Sequence, residues 1–162
     1  MQKHFGVASI GLIVFGLACL TLPGEAQSKK SFSKAGAVPE KAYLQEIWDA
    51  WATLDAAQQA RFHAQGPNTF FDESPLKYNS WAEFQSGVTA ILGTIQSGTF
   101  TVDDDAQLHP AGDYVWGTAT VKEDLMMKTG KRDMATLRWT VVFEKQNGKW
   151  LIVHEHISAP AQ

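Results

Sequence analysis

The chain has 162 residues, 44% hydrophobic and 19% charged, with a formal net charge of −3. That length has room for one domain, and the composition excludes a chain disordered throughout. An acidic balance without a basic run argues against nucleic acid as the main partner. Six Trp and nine Phe are a heavy aromatic load; most serve a core, and a concave apolar pocket would draw on the same residues.

Residues 1–26 read as a signal peptide. Lys3 and His4 form a thin basic start, Phe5 to Leu22 is almost uncharged and apolar, and Gly24-Glu25-Ala26 offers a small-x-small cleavage site. Cleavage after Ala26 leaves Gln27 as the mature N-terminus and sends the protein to the periplasm or out of the cell. The alternative is a retained membrane anchor through residues 5–22, a stretch near the roughly 17–25 residues that span a bilayer; Gly6, Gly11 and Gly16 weaken it. A lipoprotein signal ending at Cys19 lacks the usual Leu three positions upstream. Cys19 is the only cysteine, so a chain cut after Ala26 has neither a disulfide nor a thiol nucleophile.

Residues 27–38 are polar, small and aperiodic, as in a tether, and the domain follows over 39–160. Pro39 suits the first turn of a helix, and Tyr43, Leu44, Ile47, Trp48, Trp51 and Leu54 continue it as a broad apolar stripe. Asp55 with Gln58 resembles a capping box and predicts a short helix over 56–64, which Gly66-Pro67-Asn68 breaks. Thr69-Phe70-Phe71-Asp72 reads as a short strand. Ser80 and Glu83 form a second capping box, and Trp81, Phe84, Val88, Ile91, Leu92 and Ile95 give an amphipathic helix closed by Ser97-Gly98. Four strands follow, over 99–109, 113–124, 132–145 and 150–158. The last two are joined across Asn147-Gly148, a pair that tolerates the positive φ of a type I′ hairpin turn. Helices early and an antiparallel meander late predict an α+β fold, with the helices on one face of a curved sheet.

That order and three segments resemble the nuclear transport factor 2-like superfamily, in its SnoaL-like branch. The segments are Trp51-Ala52-Thr53-Leu54-Asp55, then Phe70-Phe71-Asp72 with Pro75-Leu76-Lys77-Tyr78 before Trp81, and the closing run from Gly148 to Ser158. The resemblance covers about residues 40–160. It implies a cone formed by a strongly curved antiparallel sheet packed on three N-terminal helices, a cystatin-like roll with a pocket at its open end. Members are often homodimers and include isomerases, cyclases, dehydratases and modules that only bind or oligomerise, so the fold alone selects no activity. No Tyr-plus-Asp oxyanion pair of the ketosteroid isomerase kind aligns here.

Strand alternation places Trp150, Ile152, His154, His156 and Ser158 on one face. A face ending in two imidazoles and a hydroxyl would form the polar end of the pocket, with His156 and His154 as acid/base groups. The competing reading is a histidine pair hydrogen-bonded near a strand end. His-x-His also suits a metal, but neither His63 nor His109 has the spacing of a third ligand, so no metal and no cofactor is assigned. Asp72, among apolar neighbours, is a general-base candidate; its alternative is a turn cap before Ser74-Pro75. Arg138, if it faces the pocket, would hold a carboxylate or enolate oxygen; otherwise it pairs with Glu144 or Glu155. Tyr78 and Trp116 complete the candidate ligand-binding set. The opposite face, with Leu137, Trp139, Val141, Phe143, Leu151, Val153 and Ile157, is also too apolar for water, which predicts a homodimer through the outer sheet face. The sequence thus predicts an exported domain that binds a small, partly apolar organic ligand, with His-assisted proton transfer or, alternatively, with no catalysis at all.

Overall fold

The computed structural model describes residues 37–161; the expected signal peptide, and the tether before residue 37, lie outside them. Among the described residues the elements are α1 (Lys41–Trp51), a short 3₁₀ helix (Ala56–Arg61), β1 (Thr69–Phe71), α2 (Trp81–Leu92), β2 (Ile95–Val102), β3 (Gln107–Ala111), β4 (Tyr114–Met127), β5 (Arg132–Gln146) and β6 (Lys149–Ser158). The fold is α+β. Its sheet runs β1-β6-β5-β4-β2, with β3 also on β4.

The apolar stripe of α1 buries Leu44, Ile47, Trp48 and Trp51. Glu40 is the N-cap, so Pro39 precedes the helix rather than opening its first turn. Two polar contacts fix α1 on the sheet. The Tyr43 hydroxyl donates to the Trp150 carbonyl at 2.7 Å. The Gln45 amide donates to the Phe100 carbonyl and accepts from the Val102 N–H, which satisfies backbone groups that an edge strand would otherwise leave open. Asp55 caps the 3₁₀ helix through the Ala57 N–H at 2.9 Å. The expected helix to residue 64 stops early because Phe62 and Ala64 bond the backbone of Ile152 instead. Ser80 caps α2 through the Glu83 N–H. α2 ends at Leu92 with Gly93 as C-cap, so Ile95 opens β2 rather than closing the helix stripe. Gly87, on α2, lies where an added Cβ would stand 2.4 Å from the Tyr78 ring; its missing side chain is what admits that ring.

Three features of the sheet differ from the sequence reading. The sheet is mixed, because β1 pairs parallel with β6 through Phe70↔Glu155. The strand expected over 99–109 is two strands, β2 and β3, separated at Asp103-Asp104-Asp105; there Asp105 accepts the Thr120 N–H at 3.0 Å. Those two strands pair with different halves of β4. The third difference decides the site. In the final hairpin Asn147 and Gly148 take φ of 50° and 78°, the conformation a type I′ turn requires. The register then shifts between Val142 and Phe143: Phe143 pairs with Ile152, but Val142 pairs with His154. Val153 is the extra residue of a β-bulge, which reverses the facing of everything after it. Trp150 and Ile152 point into the core before the bulge, and Glu155 and Ile157 point in after it, all four buried.

The inner face therefore carries Leu137, Trp139, Val141 and Phe143 from β5 and Ile157 from β6, packed in one core with α1 and α2. Trp48 meets Trp139 edge-on at 5.5 Å, and Tyr43 meets Phe143 at 5.8 Å. The sequence pattern predicts these residues on the face needing a partner subunit; helices cover them instead.

Candidate functional site

Between the two helices and the sheet lies a cavity of about 390 Å³. Trp48 and Trp51 of α1, Phe84, Val88 and Leu92 of α2, Phe100 of β2, and Leu125, Leu137 and Ile157 from the longer strands give it apolar walls. Four carboxyl groups join this lining: Asp72 and Glu73 from the segment after β1, Glu123 from β4 and Asp133 from β5. Among the described residues no Lys, Arg or His lines the cavity.

Glu123 and Asp133 reach the cavity by simple alternation. On β4 the odd-numbered Val115, Ala119 and Val121 are buried, and Glu123 continues that face. Burial pushes the Glu123 carboxyl up to about 7, helped by the negative charges of Glu73, Asp133 and Asp72. Asp72 is likewise raised, to about 6, first by burial and then by the charges of Glu155 and Glu73, against the lowering effect of the Glu73 N–H that its carboxylate accepts. An upward shift of this size, in a cleft, places both groups where a proton can be taken or given near neutrality.

Behind the cavity sits a buried polar cluster. His63, 1% exposed, stacks on Trp81 at 4.5 Å and lies within 6.4 Å of Trp51, Phe70 and Phe84. Its Nδ1 is 2.9 Å from the Gln59 carbonyl oxygen and its Nε2 is 3.0 Å from Glu155 Oε1. The other Glu155 oxygen accepts the Trp139 indole N–H at 2.8 Å. A carbonyl can only accept, so Nδ1 carries a hydrogen. Nε2 is thereby turned to the Glu155 carboxyl, which bridges the imidazole and the Trp139 indole.

Of the residues predicted for the site, only Asp72 lines the cavity. The bulge at Val153 corrects the placement of His154 and His156, which lie on the other face of β6. His154 Nδ1 is 2.7 Å from the Thr69 carbonyl oxygen, and both imidazoles pack edge-on against Phe71. Arg138 is exposed and donates to the Ala159 carbonyl at 2.7 Å; it pairs with neither Glu144 nor Glu155. Trp116 is 46% exposed and stacks on His109 at 4.1 Å, again outside the cavity. Tyr78 is buried against Phe84, and its hydroxyl reaches the Ser74 carbonyl at 3.4 Å. It supports the cavity segment rather than lining it. Sequence reasoning missed Glu123 and Asp133, although both sit in period with apolar neighbours on their strands. It missed His63 and Glu155 because only the bulge and the parallel pairing bring them together. Among the described residues no group of three or more His, Cys, Asp or Glu is placed to hold a metal ion.

The SnoaL-like domain family model matches residues 41–162, three quarters of the sequence and the whole of the α+β unit. This chain belongs to the SnoaL-like family. The SnoaL-like domain is also similar to solved structures across the wider superfamily. A nuclear transport factor 2-like protein from Salmonella enterica serovar Typhimurium shares 20% identity, with 75% of this chain and 92% of that one covered and a TM-score of 0.66. A protein with a cystatin-like fold from Caulobacter vibrioides shares 16% identity over 73% and 84%, TM-score 0.61. A hexachlorocyclohexane dehydrochlorinase shares 12% over 73% and 83%, TM-score 0.62. At such identities the likeness establishes the fold of the SnoaL-like domain. No curated protein is significantly similar in sequence.

Proposed function

We propose that this SnoaL-like domain binds a small, partly apolar organic molecule in the cavity and transfers a proton on it through Asp72 and Glu123. The reaction class is isomerisation, cyclisation or elimination, in keeping with the dehydrochlorinase among its structural neighbours. One observation supports this most: two carboxyl groups from different elements enter one apolar cavity, raised to about 6 and about 7. At neutral pH the lower of the two is mostly ionised and serves as base, while the higher keeps a proton to return. Carboxyls thus take the role that the sequence assigned to His156 and His154.

A second reading, a non-catalytic ligand-binding module, has its own support. Of the cavity lining, only Trp48, Trp51 and Ser74 carry uncharged side-chain donors, a thin set for stabilising an oxyanion. The two readings separate in deuterium oxide. A ligand carried through purification is identified by mass spectrometry, and its hydrogen exchange is followed by NMR. Proton transfer predicts enzyme-dependent exchange that falls by about 10²–10⁴ in Asp72→Asn. Binding without exchange establishes the module instead.

We further propose export by cleavage after Ala26 and a homodimer through the outer sheet face. Tyr114 and Trp116, each 46% exposed, and Met134, 65% exposed, stand on the even-numbered, outward positions of β4 and β5 and support the dimer. An intact mass that does not begin at Gln27, or a monomer by light scattering at micromolar concentration, would sink the respective proposal.

A further inference from the structure

One edge of β6 carries two chain segments in succession. His63 bridges to Ile152 in parallel: the Ile152 N–H donates to the Phe62 carbonyl at 2.7 Å and the Ala64 N–H to the Ile152 carbonyl at 2.9 Å. Further along, Phe70 of β1 pairs with Glu155 in the same sense and Phe71 with His156. Asp72 follows one step beyond, level with Ile157. Residues two apart on a strand share a face, so Asp72 looks inward with Phe70, and both Asp72 and Ile157 line the cavity. The Glu155 carboxyl therefore stands between the imidazole of His63 and the carboxyl of Asp72. Two residues of strand separate the Glu155 and Asp72 levels, roughly 7 Å.

A carboxyl at this place breaks the local pattern. β6 buries Trp150, Ile152 and Ile157 on the same inner side, and a buried ionic group replaced by apolar residues of similar volume often costs nothing. Departures of this kind are expected beside functional sites. Asp72 responds to it: after burial, the charge of Glu155 is the largest influence raising its carboxyl, ahead of Glu73 and against the lowering Glu73 N–H. The other ionisable groups around Asp72 are Glu73 on its own segment, Glu123 on β4, Asp133 on β5 and the Tyr78 hydroxyl. Both helices contribute only apolar residues to the lining. Of the acids, only Glu155 has both oxygens engaged, by His63 Nε2 and by the Trp139 N–H.

We propose that Glu155 is a positioning residue for proton transfer at Asp72: clamped by His63 and Trp139, its carboxyl is the fixed buried charge that Asp72 faces from beneath the cavity. Glu155 does not line the cavity, so it acts through Asp72 and not on a ligand. A like charge nearby disfavours the ionised form of Asp72 and makes that carboxylate the stronger base. The clamp keeps the charge from turning away, so its effect on Asp72 stays the same whatever occupies the cavity. This inference rests on the reading of Asp72 as the base and adds the residue that tunes it.

The test follows the Asp72 carboxyl carbon by NMR across a pH titration, its resonance assigned by its loss in Asp72→Asn, and needs no ligand. The unaltered protein is expected to show a midpoint of about 6. In Glu155→Gln the midpoint should fall by about half a pH unit to one pH unit, the scale of a like charge at that separation in a partly solvated interior. In Trp139→Phe, which removes a contact of the same cluster but leaves the carboxyl in place, it should hold. Thermal melts check each fold. A raised midpoint that Glu155→Gln leaves unmoved, or that Trp139→Phe lowers equally, overturns the inference and leaves Asp72 as the base. A Glu155→Gln variant that fails to fold overturns it too, since the carboxyl is then structural. A midpoint in the ordinary carboxyl range, about 4, in the unaltered protein overturns both readings.

Discussion

Replacing Glu155 by alanine is expected to lower the unfolding free energy by about 3–5 kcal/mol, the range seen when one member of a buried pair is removed. Replacing it by glutamine is expected to cost about 1 kcal/mol or less, a single net hydrogen bond at most. The difference follows from the donor and acceptor count. His63 Nδ1 donates to the Gln59 carbonyl, so a neutral ring leaves Nε2 as an acceptor. A glutamine in place of Glu155 can offer its NH₂ to Nε2 and its carbonyl oxygen to the Trp139 N–H, reproducing both contacts without charge. Alanine abandons the Trp139 N–H and the His63 nitrogen together in a site 1% exposed. Denaturant unfolding of the three proteins, with the slope checked for constancy, measures this directly. A glutamine variant as weak as the alanine one would mean that full charge, rather than hydrogen-bond geometry, holds the cluster.

The second large effect is on the pH dependence of stability. Asp72 and Glu123 have folded-state pKa values raised to about 6 and about 7 from 3.8 and 4.5. The folded protein therefore binds their protons more tightly than the unfolded chain, so stability from these two groups is complete below about pH 4 and is lost as pH rises through 6 and 7. The half-buried carboxylates of Asp103, Asp124 and Glu144 act in the opposite sense. Their partners Lys122, Arg132 and Gln146 lower them, so they contribute above the unfolded pKa and fail on acidification. Together these predict greatest stability near about pH 5, declining by about 2–3 kcal/mol towards pH 8 once partial solvent screening of the two cavity acids is allowed for. The Asp72→Asn, Glu123→Gln double variant should melt higher than the unaltered protein at pH 8 by several degrees and lose the decline. A flat profile between pH 5 and 8 in the unaltered protein would show that the cavity acids titrate normally and would remove the basis for their acid/base role. A stability gain on deleting polar groups is also what a binding site leads one to expect, since such sites keep arrangements that are costly to the empty protein.

Local patterns made much of this chain legible. The stripe of Leu44, Ile47, Trp48 and Trp51 marks α1, the Ser80 cap starts α2 where Ser80 and Glu83 said it would, and Asn147-Gly148 makes the turn expected of it, because each rests on interactions within a few residues. Three such segments, Trp51 to Asp55, Phe70 to Tyr78 and Gly148 to Ser158, sufficed for the SnoaL-like likeness. Asp72 was legible as a candidate because its Phe neighbours announced burial. Glu123 was legible in principle, as an acid in step with Val115, Ala119 and Val121. What no local pattern contained was the bulge at Val153. Alternation carries information only while the register is unbroken, and one extra residue, set by how β6 must meet both β5 and the parallel β1, turned His154 and His156 outward and Glu155 inward. The pairing of His63 with Glu155, 92 residues apart, arises in the same way. Composition and periodicity determined which segments became helices and strands and that a packed α+β domain would form. Only tertiary structure decided which face of the last strand looks into the cavity, because facing depends on long-range pairing that short-range propensity does not encode.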